Sequence, residues 1–96
     1  MDKVYNMANN DELWEKIGFV KVSENRYMIL KTLDTHFLMP SEIAKKTGLT
    51  PSQVSTLLHD LKKENLVQCK NEKFKKGRLY LNTKLGLEIL KILDEN

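Results

Sequence analysis

Short polar side chains recur on one face of the segment from Met39 to Leu66, and their types suit hydrogen bonding to the edges of nucleic-acid bases. Hydroxyl and amide groups both donate and accept hydrogen bonds, and cations that follow them could neutralise phosphates. Taken alone, such a face is better explained as the solvated side of an ordinary helix, so its surroundings must decide. The residues concerned are Thr50, Ser52, Gln53, Ser55, Thr56 and His59, followed by Lys62 and Lys63.

Two short helices joined by a tight turn must position this face, and we predict them over 40–47 and 51–64. Pro40 fits the first position of the first helix, and Gly48 can adopt the left-handed conformation that ends it. Asn65 is the residue other than glycine that best tolerates this conformation, so we expect the second helix to end there.

The start of the second helix is marked by several independent signals. The Thr50 hydroxyl can accept a hydrogen bond from a first-turn amide, Pro51 fits the first helical position, and Gln53 can complete a capping box. Four apolar residues then recur at the spacing of one buried helix face. They are Val54, Leu57, Leu58 and Leu61.

A basic β-hairpin is predicted directly after the helix pair, over 66–82. The hydrophobic period changes to two on both sides of the loop 71–77, which is typical of half-buried strands. Phe74, near the tip, could fold back on the hairpin, contact sugar or base, or meet a partner, and the sequence does not rank these. The cations that could contact DNA backbone or minor groove are Lys70, Lys73, Lys75, Lys76 and Arg78.

The remaining segments are predicted to surround this unit. We expect 1–9 to be disordered, a short helix over 10–18 that ends at Gly18, a scaffold helix over 23–36, and a last helix over 83–94. The apolar positions of the last helix are too broad for one stripe, which indicates two burial surfaces. Trp14 reads as a packing residue on the first helix. The predicted surface between two copies comprises Leu13, Trp14, Ile17, Leu87, Leu90 and Leu93.

Charge is distributed unevenly along the chain. The segment 40–84 holds ten Lys/Arg and four Asp/Glu, whereas the remainder holds six and nine, although the whole chain of 96 residues carries only +3. Positive charge therefore gathers around the helix pair and hairpin, which is typical of a surface that binds a polyanion.

Composition excludes several classes of protein. The length fits one domain, and with neither a long apolar run nor a signal-peptide core we expect a cytoplasmic protein. Cys69 is the single cysteine, and His36 and His59 stand apart from any ligand cluster. We therefore expect no disulfide, metal, cofactor or enzymatic activity.

The order of elements resembles the winged helix-turn-helix regulators of the MarR and ArsR type, a mainly α fold with a small β-hairpin (α+β). The resemblance covers about 65 residues, from Ser23 to the final helix. It implies that 51–64 enters the major groove of double-stranded DNA, that the wing contacts backbone or minor groove, and that the terminal helices form a homodimer. The residues that carry it are Ser41 to Ala44, Gly48 to Ser55, Leu58, Leu61, Asn65 to Val67, Lys70 to Arg78, Leu81 to Thr83, and Gly86.

This chain departs from the family pattern at two points. Asn65 stands where glycine is usual, and the thiolate clusters by which arsenic-repressor relatives sense metals are absent, because Cys69 is alone. No small-molecule effector can be identified. The segment 13–20 looks like an archaeal variant.

Two functions remain open at this stage. The first is a homodimeric, sequence-specific DNA-binding transcriptional regulator. The second is a protein-interaction winged helix within a larger transcription or chromosome-associated complex.

Overall fold

The computed structural model describes the secondary structure of residues 2–95 and the side chains of residues 11–95. It contains five helices and one antiparallel hairpin, which confirms the winged-helix α+β fold. The elements in chain order are α1 (Asp2–Lys21), α2 (Glu24–Leu33), α3 (Pro40–Thr47), α4 (Pro51–Lys63), β1 (Val67–Cys69), β2 (Tyr80–Asn82) and α5 (Lys84–Asp94). Over these residues, no helix combines the length and apolarity needed to cross a bilayer.

Helix α2 lies at the centre of the core and is packed against α1, α3, α4, α5 and β2. Its side chains Ile29, Leu30 and Leu33 are fully buried because the surrounding elements place hydrophobic faces against them. This arrangement confirms the interpretation of α2 as a scaffold. The fully buried core residues include Ile29, Leu30, Leu33, Ile43, Val54, Leu61, Leu66 and Ile89.

The hairpin pairs Val67 with Asn82 and Cys69 with Tyr80 in an antiparallel register. A further bridge joins the other edge of β2 to Leu38: the Leu38 N–H donates to the Tyr80 oxygen at 3.0 Å, and the Tyr80 N–H donates to the Leu38 oxygen at 2.8 Å. Sequence reasoning missed this bridge. The sequence feature that could have indicated it is Pro40, because the residue before a proline is biased towards extended backbone. Met39 is extended in the structure.

The first helix differs from the sequence prediction at both ends. It begins at Asp2, where disorder was expected over 1–9 (Met1 lies outside the described residues), and it continues through Gly18 to Lys21. The prediction that Gly18 ends the helix was wrong. Ile17 and Val20 are buried on either side of Gly18, and their packing outweighs glycine's weak helix propensity. The segment 2–9 contains no glycine or proline that would interrupt a helix.

Helix α2 ends at Leu33, three residues earlier than predicted. Asp34 adopts φ 49° and ψ −122°, a conformation that residues other than glycine rarely take. The buried Asn82 amide holds the chain there, since its Nδ2 donates to the oxygens of Leu30 at 3.0 Å and Asp34 at 2.9 Å. Asn82 therefore satisfies the Asp34 carbonyl and adds a second donor to the Leu30 carbonyl, which also accepts from the Asp34 N–H at 2.9 Å.

Helix α5 is set against the end of α4 by a close backbone approach. Thr83 caps α5 as predicted, with its hydroxyl accepting from the Gly86 N–H at 3.0 Å. A Cβ at Gly86 would lie 2.2 Å from the Leu66 carbonyl oxygen and 3.1 Å from Asn82 Oδ1. Only glycine fits at this position. Leu66 directly follows Asn65, which takes the predicted left-handed conformation at φ 63°.

Alanine substitution at the two helical glycines should therefore have opposite effects. Gly86→Ala forces backbone apart and should lower the free energy of unfolding by about 1–3 kcal/mol. Gly18→Ala is the matched control: no atom outside the helix's own backbone and the chain neighbours lies within 4 Å of its added Cβ. It should raise the free energy of unfolding by about 0.5–1 kcal/mol. Urea unfolding followed by circular dichroism measures both, and equal effects would contradict the close approach at Gly86.

Candidate nucleic-acid interface

The predicted capping box at the start of α4 is present. Thr50 Oγ1 accepts from the Gln53 N–H at 3.1 Å, and Gln53 Oε1 accepts from the Thr50 N–H at 2.9 Å. These two side chains are therefore engaged in ordering the first turn of the helix. Each keeps donor capacity, since the Thr50 hydroxyl and the Gln53 amide group still carry hydrogens.

Four further residues of the predicted face lie exposed along α4 and make no side-chain hydrogen bond within the described part of the chain. They are Ser52, Ser55, Thr56 and His59. Beside them, a shallow groove of about 330 Å³ separates α4 from the start of α2. Asn25 lines this groove with Ser52, Gln53, Thr56 and Leu57, a contribution that sequence reasoning missed because α2 was treated only as scaffold.

The wing loop is braced by its own side chains. Asn71 Nδ2 donates to the Gly77 oxygen at 3.1 Å, and Asn71 Oδ1 accepts from the Leu79 N–H at 2.8 Å. Arg78 Nε donates to the Phe74 oxygen at 2.6 Å, and Arg78 Nη2 donates to the Glu72 oxygen at 3.1 Å. Arg78 thus binds its own loop, although it was predicted to contact DNA.

An exposed ion pair joins the wing to α4. Lys62 Nζ lies 2.7 Å from Glu72 Oε1. The hydrogen bond between them raises the pKa of Lys62 above its usual value and lowers the pKa of Glu72 below its own. Both groups are therefore charged at neutral pH, and Lys62 is partnered where the sequence treated it as free.

The other predicted cations fall into two groups. Lys70 Nζ lies 4.0 Å from the centre of the Phe37 ring, a cation–π contact on the flank of the hairpin. The exposed side chains of Lys63, Lys73, Lys75 and Lys76 make no ion pair among residues 11–95. These four supply the positive charge that remains available to a polyanion.

The residues predicted to form an interface between two copies differ in their burial. Ile17 and Leu90 are only 5% and 6% exposed, because they complete this chain's own core. They have almost no surface to offer a partner, so their assignment to an interface is corrected. Leu13, Leu87 and Leu93 are half-buried and Trp14 is 65% exposed, so these four residues keep apolar surface outside this chain's own core.

The end of α5 is tied to α2 by a small polar network. The Tyr27 hydroxyl donates to Asp94, and Lys31 Nζ donates to that hydroxyl at 3.2 Å and to Asp94 Oδ1 at 3.4 Å. The hydrogen bond from Tyr27 is the main cause of the lowered pKa of Asp94, and the bond to Tyr27 is the main cause of the raised pKa of Lys31. The position of α5 is thus fixed at both ends.

The described residues contain no cluster of three or more metal-ligating side chains. Cys69 is buried, with its Sγ 3.6 Å from Asn71 Oδ1. Among the described residues, α4 and the hairpin therefore expose hydrogen-bonding groups and cations.

Comparison with known proteins agrees with this architecture. The family model for bacterial regulatory proteins of the arsR family matches residues 23–68, which span the scaffold helix, the helix pair and β1 up to Gln68. No curated protein matches the chain in sequence.

Several solved structures share the fold. The transcriptional regulator HlyU from Vibrio vulnificus CMCP6 has a TM-score of 0.71 at 24% identity, over 98% of this chain and 93% of that one. MepR from S. aureus, in a DNA complex, has a TM-score of 0.71 at 18% identity, over 97% and 78%. The MarR family regulator NMB1585 from Neisseria meningitidis has a TM-score of 0.68 at 24% identity, over 98% and 66%. The chain therefore has a winged helix-turn-helix fold, and its segment 23–68 is similar to bacterial regulatory proteins of the arsR family.

Proposed function

We propose that the protein is a homodimeric regulator that binds a specific double-stranded DNA sequence, with α4 in the major groove and the wing on backbone or minor groove. The observation that carries this proposal is the ion pair between Lys62 and Glu72, 2.7 Å long, which joins the exposed polar helix to the braced basic hairpin. This contact places the polar face of α4 beside the basic hairpin, so that both elements can reach the same duplex.

Base recognition is assigned to the exposed face of α4. Ser55, Thr56 and His59 have hydrogen-bonding groups that no described side chain occupies, and such groups match donors and acceptors on base edges. Thr50 and Gln53 contribute through their remaining hydrogens while their oxygens keep the helix capped. Lys63 and the wing lysines supply phosphate contacts, which position the protein without reading sequence.

The dimer is assigned to α1 and α5. An indole that is 65% exposed is unusual on a monomer, and the half-buried Leu13 lies one residue before it on α1. Leu87 and Leu93 add apolar surface on α5, which packs against α1. A second copy that presents the same face would cover these side chains in a two-fold interface.

The same apolar surface is the one observation that favours an alternative, a protein-interaction winged helix in a larger complex. An enzymatic role is not proposed, because family and fold are those of regulators. The cytoplasmic and archaeal assignments remain predictions.

The first prediction separates base reading from phosphate binding. Ser55→Ala should reduce the preference for a selected operator over a scrambled duplex by about five- to tenfold, since a base-edge contact is lost. Lys75→Ala with Lys76→Ala should weaken both duplexes alike and reduce the log–log salt slope by about 1.8, at about 0.9 per phosphate. Fluorescence anisotropy across a salt series measures both.

Ser55 is a cleaner probe than Gln53, whose replacement also removes half of the capping box. Salt-independent binding by the wild type would contradict the proposed function itself. An operator preference that survives Ser55→Ala unchanged would contradict the role assigned to Ser55.

The second prediction concerns the ion pair. Glu72→Gln should free Lys62 to take a phosphate, so that non-specific affinity rises and the salt slope steepens by about 0.9. Glu88→Gln is the control, because it removes the same charge from an exposed residue of α5 that makes no ion pair among the described side chains. If the two variants have the same salt slope, Lys62 does not reach a phosphate.

The third prediction tests the dimer. The wild type should sediment at about twice the 11.2 kDa of one chain, and Trp14→Glu should shift it towards the monomer because a charge would be buried between two apolar faces. Val22→Glu places the same charge at a residue that is 80% exposed and should leave the mass unchanged. A wild type that is monomeric at all concentrations would favour the adaptor.

A further inference from the structure

The wing carries an aromatic side chain that neither the fold nor the proposed recognition helix requires. Phe74 is 60% exposed and is absent from the hydrophobic cluster and from the apolar residues packed against it. Of the three roles that the sequence left open, folding back onto the hairpin is therefore excluded. The ring is mostly exposed to solvent, where it contributes no free energy of burial.

The backbone of Phe74 is held in place on both sides. Its N–H donates to the Asn71 oxygen at 3.0 Å, and its carbonyl oxygen accepts from Arg78 Nε at 2.6 Å. Gly77 adopts φ 69°, which closes the loop around the Asn71 amide. The aromatic is thus presented on a preformed loop, so that little conformational freedom remains to be lost when it meets a ligand.

The charged residues next to Phe74 indicate the class of ligand that this loop would bind. Lys73, Lys75 and Lys76 are exposed, and they form no ion pair with the described side chains. Three cations within two residues of one aromatic in the same loop are complementary to a polyanion with apolar surface beside its charges. Duplex DNA has this combination in the minor groove, where sugars and base edges lie between two rows of phosphates.

We propose that Phe74 enters the minor groove at the flank of the bound site, with its ring against sugars and base edges while the adjoining lysines hold phosphates. Asn71 and Arg78 are positioning residues that hold the loop in shape. The inference rests on the proposed DNA-binding function and adds a contact that depends on the shape of the flanking sequence. Apolar side chains in this groove loosen base stacking, so flexible flanking steps should be favoured.

The test compares single variants on a fluorescein-labelled operator obtained by selection from random duplexes. Phe74→Ala should weaken binding by about five- to twentyfold with an unchanged salt slope, because an apolar contact is lost and no charge is removed. Phe74→Leu should retain most of the affinity. Val22→Ala is the control, since it shortens another exposed apolar side chain away from the basic wing.

The groove is tested by replacing G·C pairs with inosine·C in the flanks, which removes a minor-groove amino group and leaves the major-groove edge intact. Wild-type affinity should change with this replacement, and Phe74→Ala should be insensitive to it. Equal sensitivity of the two proteins, or equal affinity for the unmodified operator, would overturn the proposal. A change in the salt slope of Phe74→Ala would also overturn it, because the ring would then act only by placing the lysines.

The positioning role is tested with Arg78→Lys, which keeps the charge but loses the two-pronged donor. It should reproduce most of the loss of Phe74→Ala, and the double variant should lose little more than Phe74→Ala alone. Additive losses would overturn the positioning role. If the wild type binds no duplex with salt-dependent affinity, the proposed function fails, whereas wild-type binding with an indifferent Phe74 overturns only this inference.

Discussion

The junction of Leu66, Asn82 and Gly86 is the constraint on which the rest of the structure depends. The Leu66 carbonyl is approached so closely by α5 that a Cβ at Gly86 would lie 2.2 Å away, and the Thr83 N–H donates to the same oxygen at 3.0 Å. The side-chain amide of Asn82 donates to the end of α2. Helix α4, the hairpin, α2 and α5 therefore meet within a few residues, and each fixes the direction of the others.

The distance along the chain between interacting groups explains what the sequence could predict. The capping box joins Thr50 to Gln53 only three residues away, and the left-handed Asn65 depends on its own backbone, so both were predicted correctly. The early end of α2 depends on an amide 48 residues further along the chain, at Asn82. The helix through Gly18 likewise depends on core packing that overrides a local preference. No local pattern contains these contacts.

The candidate site shows the same division. Sequence reasoning found the polar face of α4 and the basic hairpin, because residue type and spacing are enough to predict an exposed surface. It could not separate cations by their partners: Lys62 is paired with Glu72, Arg78 binds loop carbonyls, and Lys70 lies over Phe37. A count of charges treats all of these as equal. The structure leaves four predicted cations without an ion pair among the described side chains, Lys63, Lys73, Lys75 and Lys76, and the last three lie beside Phe74 in the wing loop.

The bridge between Leu38 and Tyr80 has a mechanical consequence for recognition. Strand β2 is hydrogen-bonded on one edge to the segment that leads into α3, and on the other edge to the strand that leaves α4. The wing therefore cannot tilt independently of the helix pair, because any rotation would break backbone bonds on one side. The separation between α4 and the hairpin is thus fixed by backbone hydrogen bonds. If both elements contact one duplex as proposed, this fixed separation would respond to the spacing between neighbouring grooves, which varies with twist even where no base is touched.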